Sequence, residues 1–520
     1  MRTLVVTYSL PCSLNFFASE PETKISLGTI DVSESKSILV SSRTPAKTAG
    51  SRRGSLSSLI SSINLSSDNV KSEHDPLKWS LTELSTHSDV LAISKTFQQS
   101  QEVIHIGWPG PLIADNHKAL NYNDLSAETL QRITEIYSAH SKCVPVFLGP
   151  SDQQAHKRFC QETLVPILHH QIWKDPEHIV KMARNWPNYV KVNELFAKIV
   201  VDTYRSGDII WILDYELFLL PALLRSKLAM TSIGFFLKVP FPSSDMFRCL
   251  PDAESIIKGI LGANVIGFQA YSYVRHFNSC CIRILGLETS GLRIDYEGFP
   301  VEVCVIPCGI DPGKIAAKQL TSAVGDKLED FNRLFNGKTL FLGIESTTQV
   351  ESIKKTLQAF ERLKEVHHDE SLILLIVLYG ERAAAPSAFS KDQAVVVELA
   401  NRINSAFGGI DYTPVQLHFQ WLEEPELYAL LRRADAYICA NLKDSMPTMV
   451  LEYILSQEEK KGPIILSEFT ALASSIASSI FLVNPWNTDL VVDAMEQAIH
   501  IKEPERLFNY EVDFCALLHS

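Results

Sequence analysis

The chain has 520 residues, with 48 Lys and Arg against 60 Asp and Glu and a formal net charge of −12. That balance excludes a nucleic-acid-binding body, which needs a positive surface to displace counterions from phosphates. Hydrophobic residues make up 46% and charged residues 21%, ordinary for a globular protein with material for more than one core, and at ~150 residues per domain the length suggests about three domains.

In chain order, Leu4-Val5-Val6 reads as a first buried strand. Arg2 before it resembles the start of a signal peptide, but Pro11 cuts the apolar run and no small-residue cleavage site follows. Residues 33–67 then change character, since 13 of them are serine and aromatics are few. Such a segment buries too little apolar surface to offset its ordering entropy, so disorder is expected across residues 28–75. Within it, Arg52-Arg53-Gly54-Ser55 has the form of a basic-directed kinase target, with Ser55 as the acceptor; a plain solvated linker is the competing reading.

From about Leu77, short apolar runs alternate with helical patterns. Val144–Leu148, Ile209–Leu213, Thr231–Leu237 and Val301–Ile306 read as strands buried on both faces, and Tyr189–Tyr204 and Asp252–Leu261 as helices. The most apolar window, Ile209–Leu224, is broken by Asp214 and Glu216 and is shorter than the ~20 residues of a membrane span. Gly309-Ile310-Asp311-Pro312 punctuates the chain. The alternation then restarts with Thr339–Ile344, Ser371–Tyr379, Val415–Phe419, Ala436–Ala440 and Pro463–Leu466. This pattern predicts two α/β domains with parallel sheets, binding ligands at the carboxyl ends of their strands. The ten cysteines have no C-x-x-C spacing and no histidine at zinc-ligand spacing, which points to buried reduced thiols and a metal-free, cytoplasmic protein.

Several runs carry a specific resemblance. They include Ile233-Gly234-Phe235-Phe236-Leu237 with Pro240-Phe241-Pro242-Ser243-Ser244, Ile266-Gly267-Phe268-Gln269, and Tyr273-Val274-Arg275-His276-Phe277. Pro307-Cys308-Gly309-Ile310-Asp311, Leu466-Ser467-Glu468-Phe469 and Val483-Asn484-Pro485-Trp486-Asn487 continue the series. Colinear from about Ile104 to Phe508, they resemble the trehalose-6-phosphate synthase family, glycosyltransferase family 20, and Glu458–Gly462 its fungal members in particular. The resemblance implies a GT-B fold, two Rossmann-like domains facing a cleft. Active members transfer glucose from UDP-glucose to glucose 6-phosphate with retention and without a metal or other cofactor. On this reading the domains are residues 1–27 and 76–312 around the serine-rich insert, then residues 313–485. Residues 486–520 form a crossover segment that is either natural or truncated, since the likeness fades after Tyr510.

Departing UDP builds negative charge, so without a metal the protein must supply cations. In the family an arginine and a lysine in V-D-R-L-D-Y-x-K-G do this; here the stretch is Ile344–Ser352, and those positions hold Ser346 and Glu351. The second change reverses the charge. Lys354 and Lys355 follow, and the solvent face of the next helix is the expectation for both. The family's R-L-P is Ser9-Leu10-Pro11, its glycine pair has no counterpart between Pro11 and Trp108, and its L-W-P tryptophan is Val165. H-D-Y-H becomes Leu213-Asp214-Tyr215-Glu216, and the histidine of F-L-H-x-P-F-P becomes Lys238.

R-D-G-M-N-L-V-x-x-E becomes Lys443–Glu452, keeping Asp444, Met446 and Glu452 at the sugar-hydroxyl, loop and ribose-hydroxyl positions. Asp214 and Arg402 also match ligand positions of the family. The catalytic set is therefore degenerate at Ser9, Lys238, Ser346 and Glu351, while Asp214, Arg402, Asp444, Met446 and Glu452 are either residual ligand contacts or local hydrogen-bonding residues. The resemblance implies a catalytically impaired, regulatory subunit of a trehalose-synthesis complex, partnered by an active synthase and a trehalose-phosphatase. An active glucosyltransferase with a remodelled phosphate site, and a sugar-phosphate or nucleotide sensor, are the alternatives. No D-x-D-x-T phosphatase motif occurs in the chain.

Overall fold

A computed structural model describes residues 2–18, 77–83, 102–110, 112–113, 119–120, 122, 125–173, 178–347, 349–367, 370–379, 391–419, 422–476 and 480–519. The serine-rich residues 28–75, with Ser55, lie outside the described residues. The strands in chain order are β1 (Arg2–Ser9), β2 (Cys12–Ala18), β3 (Leu77–Glu83), β4 (Glu102–Trp108), β5 (Leu112–Ile113), β6 (Ala119–Leu120) and β7 (Cys143–Pro145). Next come β8 (Ile209–Leu213), β9 (Ser232–Leu237), β10 (Val265–Phe268), β11 (Thr289–Ser290), β12 (Arg293–Tyr296) and β13 (Phe299–Val305). The last six are β14 (Thr339–Ser346), β15 (Leu372–Tyr379), β16 (Val415–His418), β17 (Ala436–Cys439), β18 (Ile464–Ser467) and β19 (Phe481–Val483).

Two compact units result. One comprises Leu14–Thr82 and Leu112–Leu120 and holds a small sheet of order β3-β2-β5-β6. The other comprises Met1–Ser13, Glu83–Pro111 and Asn121–Ser520 and holds two larger sheets. The first of these runs β11-β12-β13-β10-β9-β8-β1-β4-β7. From β13 to β7 its pairs are parallel, and β11, β12 and β13 pair antiparallel at one edge. The second runs β16-β15-β14-β17-β18-β19 and is parallel throughout.

Renumbered along the chain, the six parallel strands of the second sheet stand in the doubly wound order 3-2-1-4-5-6. Parallel strands covered by helices on both faces must be apolar on both, and β15, Leu-Ile-Leu-Leu-Ile-Val-Leu-Tyr, is buried over its first seven residues. Most predicted strands recur within a residue or two. The exception is β7, an edge strand assigned only to Pro145, although the Val146 N–H still donates to the Gly107 carbonyl of β4 at 2.7 Å; the proline N faces away from β4 and is tolerated at the sheet edge.

The Gly309–Pro312 punctuation becomes a helix start. Asp311 caps the helix Pro312–Gln319 by accepting the Lys314 N–H at 3.0 Å, with proline in the first turn. This helix and the next, Ser322–Leu334, pack on the helix Glu424–Arg433 beneath the second sheet. The final helix, Glu503–His519, packs on the helix Thr448–Ser456, with Tyr510 and Phe514 against the second sheet's core. Of the nine cysteines whose side chains are described, five are buried, while Cys249 and Cys515 are exposed.

Close packing of the helix Ala253–Ile260 on Leu220–Lys227 depends on two glycines, Gly259 and Gly262. A Cβ at Gly259 would meet the Phe218 carbonyl oxygen at 2.5 Å, and one at Gly262 would strike the Ala222 and Pro221 backbone. Backbone cannot swing aside as a side chain can. Gly262→Ala is therefore expected to destabilise the fold by about 1–3 kcal/mol, read as a lower urea midpoint with an unchanged m-value.

Candidate functional site

In a doubly wound sheet, the loops leaving neighbouring strands diverge to opposite faces where strand order reverses, and a crevice opens at the carboxyl ends. This chain has two such points, between β1 and β8 and between β14 and β17. Among the described residues, every site residue named from the sequence except Arg402 lies on a strand end, loop or helix leaving one of them or an adjacent strand.

At the first point, Ser9 ends β1 and is exposed, Asp214 follows β8, and Lys238 follows β9. Asp214 adopts φ 72° and ψ 173°, a region only glycine occupies freely. Its N–H donates to the Phe236 carbonyl at 2.9 Å, and its Oδ1 accepts the Tyr215 N–H at 3.1 Å. Next to it, burial and the Asp214 charge push the Glu216 carboxyl up to about 8. The His156 ring stacks between Tyr8 at 4.7 Å and Tyr189 at 5.2 Å, and its Nε2 sits 3.1 Å from the Glu216 carbonyl oxygen. Burial lowers that imidazole to about 4, so it is neutral. Gln269 ties the layer together, donating to the Lys238 carbonyl and accepting the Cys308 N–H at 3.3 Å.

At the second point, β14 ends in Glu345-Ser346. Glu345 is buried, and desolvation together with the Asp444 charge raises its carboxyl well above the usual range, against a hydrogen bond from Asn441. The Asp444 carboxylate accepts from Asn441 Nδ2 at 2.9 Å and from the Ser445 N–H at 2.7 Å. Ser352, at the family's glycine position, accepts the Leu442 N–H through its hydroxyl at 3.0 Å. Glu351 pairs with Lys354 at 3.1 Å, so this lysine reaches back toward the strand end instead of lying on the solvent face. Lys355 lies over the Trp486 ring at 5.6 Å. Glu452 is buried and hydrogen-bonded to Tyr428.

The loop Asn441–Pro447 joins the two halves. Tyr273 donates its hydroxyl to the Asp444 carbonyl at 3.0 Å, and His169 Nδ1 lies 3.0 Å from the Lys443 carbonyl and 3.3 Å from Gln349 Nε2. Met446 packs against the cores of both sheets. Arg402 stands apart on the helix Lys391–Phe407, where its guanidinium makes a two-pronged pair with Glu361 at 3.0 and 2.6 Å. Its described partner belongs to the outer helix layer, not to either strand-end crevice.

Sequence reasoning passed over Glu345, Gln349, His169 and Tyr273. A carboxylate ending an otherwise apolar strand was the available signal for Glu345. The other three act through contacts 171 to 274 residues distant in sequence, which no local pattern encodes. Taken together, the arrangement presents carboxylates and amides suited to sugar hydroxyls, with little positive charge for a diphosphate.

Two expectations follow from the first crevice. Asp214→Gly relieves the backbone strain and raises the thermal midpoint, whereas Asp214→Ala keeps the strain and does not. Because the Glu216 pKa is raised above the unfolded value, the native state holds an extra proton between about 4.5 and about 8, and stability falls as pH rises through that window. Glu216→Gln should flatten the decline, measured as thermal midpoint against pH.

The description Glycosyltransferase family 20 matches residues 57–515. The alpha,alpha-trehalose-phosphate synthase [UDP-forming] A of Dictyostelium discoideum is 34% identical over 82% of this chain, which spans 56% of that protein's length. A synthase of Aspergillus niger, alpha,alpha-trehalose-phosphate synthase [UDP-forming] 2, is 33% identical over 78% of this chain and 82% of its own. Among solved structures, the N-terminal domain of Candida albicans trehalose-6-phosphate phosphatase superposes with TM-score 0.72 and 31% identity, covering 83% of this chain and 90% of that one. A Burkholderia multivorans synthase at 23% identity and TM-score 0.71 shares the two-sheet GT-B fold. The chain belongs to glycosyltransferase family 20, the trehalose-6-phosphate synthase family.

Proposed function

We propose that this chain is a catalytically impaired, synthase-like subunit of a trehalose-synthesis complex, acting in the cytoplasm beside an active synthase and a trehalose-phosphatase. The observation that carries the reading is the charge at the second crevice. Ser346 and Glu351 stand where the active relatives are expected to hold cations, and the neighbouring Glu345 carboxyl is buried against Asp444. Lys354 neutralises Glu351, and its ammonium is thereby engaged with a carboxylate of its own helix.

Stabilising a departing diphosphate needs preorganised positive charge, and loss of one such donor costs about a hundred- to a thousandfold in rate. Here two donors are replaced together and a carboxylate is added. The fold alone does not assign the synthase reaction, since a relative named for phosphatase activity carries it as an N-terminal domain. Sugar binding without turnover is the second reading, favoured by the strained Asp214 at the carboxyl end of β8. It makes Asp214, Asp444 and Glu452 hydroxyl contacts for a sugar phosphate or sugar nucleotide.

With UDP-glucose and glucose 6-phosphate, the purified chain is expected to release UDP no faster than a blank. Turnover above blank that is abolished by Asp444→Ala would overturn the impaired-subunit reading. Ser346→Arg combined with Glu351→Lys is expected to tighten UDP binding by about tenfold or more, measured calorimetrically. Co-purification with an active synthase chain tests the subunit role, and a clean monomer in a fungal extract contradicts it.

A further inference from the structure

The helix Tyr271–Leu285 buries Tyr273, Val274, Phe277, Cys280 and Cys281 against the first sheet. Its outer side carries a groove of about 430 Å³, lined by Tyr271, Arg275, Asn278, Ile282, Arg283 and Gly291 among others. Tyr271, Arg275, Asn278 and Ile282 follow each other at intervals of four, three and four residues, so they form one stripe along the helix.

A solvated stripe is ordinarily polar, yet Tyr271 is 59% exposed and Ile282 50%. Leu292, beside Gly291 in the turn that walls the groove, is also exposed at 47%. The wall is fixed in place, because Asn278 Nδ2 donates to the Gly291 carbonyl at 2.8 Å. These apolar groups are therefore presented on a rigid helix and a pinned turn.

The charge of the groove differs from that of the chain. Against an overall −12, its charged lining is two arginines. Arg283 pairs with Asp245 at 2.8 Å, with both side chains more than half exposed, an arrangement worth little and readily exchanged. Arg275 is exposed and makes no ion pair among the described residues. An uncompensated guanidinium midway between an exposed aromatic and an exposed aliphatic side chain matches one kind of surface: a carboxylate flanked by apolar groups. From Tyr271 to Ile282 the stripe runs about 16 Å at 1.5 Å per residue, the reach of roughly five extended residues.

From this we infer that the groove docks an acidic segment of a partner polypeptide, with a carboxylate on Arg275 and apolar side chains against Tyr271 and Ile282. The site is separate from the two strand-end crevices, and the inference holds whether or not those crevices turn over substrate. Arginine and aromatic groups of this kind commonly anchor protein interfaces.

The test uses the full chain and short fluorescein-labelled peptides with leucine or phenylalanine on either side of glutamates, read by fluorescence anisotropy. Acidic peptides are expected to bind about tenfold tighter than their Glu→Gln versions, and Arg275→Glu or Ile282→Asp to weaken them by about tenfold. A lysine-bearing peptide should regain binding on Arg275→Glu, which a merely misfolded variant would not support. Unchanged thermal midpoints are expected for both exposed positions. Equal binding of acidic and neutral peptides, indifference to Arg275→Glu, or self-association in sedimentation that Arg275→Glu removes would each overturn the inference. If an active synthase chain still co-purifies with a chain carrying both Arg275→Glu and Ile282→Asp, the groove assignment fails while the subunit reading stands. If acidic peptides bind but no such chain co-purifies, the reverse holds.

Discussion

Two backbone carbonyls, those of Lys443 and Asp444, hold the functional half of this molecule together. A carbonyl buried at a domain junction must find a donor, and here the donors come from the other sheet's helices, His169 and Tyr273. The loop that carries them also supplies the Asp444 carboxylate and the Met446 side chain that packs into both cores. Its backbone is tied on the far side as well, through Ser352 to Leu442 and through Ser445 to Ala471. The loop is thus pinned from several directions, and the crevice beside β14 takes its shape from that pinning.

Within this frame the two crevices differ in how they handle charge. At the first, Glu216 is desolvated beside Asp214 and holds its proton to about 8, while His156 is kept neutral between two tyrosines. At the second, burial and the Asp444 charge hold the Glu345 carboxyl well above the usual range, and the Asp444 carboxylate accepts from two amide donors. In each crevice a buried carboxylate stands beside an aspartate, and the lysines on the neighbouring loops are already engaged, Lys238 with the Glu216 charge and Lys443 over the Tyr273 ring. Such a lining recognises hydroxyls through directional hydrogen bonds better than it stabilises a diphosphate. The exposed guanidinium of Arg275 lies elsewhere, on the outer face of a helix, where it is available to a macromolecular partner rather than to a leaving group.

Much of the fold was legible along the chain because it obeys local rules. Strands buried on both faces must be apolar throughout, so β8, β9, β14 and β15 announced themselves as continuous runs. The helix start at Asp311-Pro312 was readable because an N-cap followed by proline is itself a local structure. The shorter β7 and the separate sheet formed by β2, β3, β5 and β6 were not anticipated. Their extents depend on which strand lies alongside, and that is a tertiary fact.

By itself, then, the sequence determined the family, the two α/β domains, and which residues align with the family's motifs, since each is set by residue type and spacing. Only the tertiary structure decided what those residues touch. It gave Lys354 to Glu351, left Arg402 with Glu361, buried Glu345 beside Asp444, and joined His169 and Tyr273 to a loop far along the chain. Strand order fixes where loops converge, and the protonation state of a carboxylate follows from the desolvation and neighbours that convergence creates.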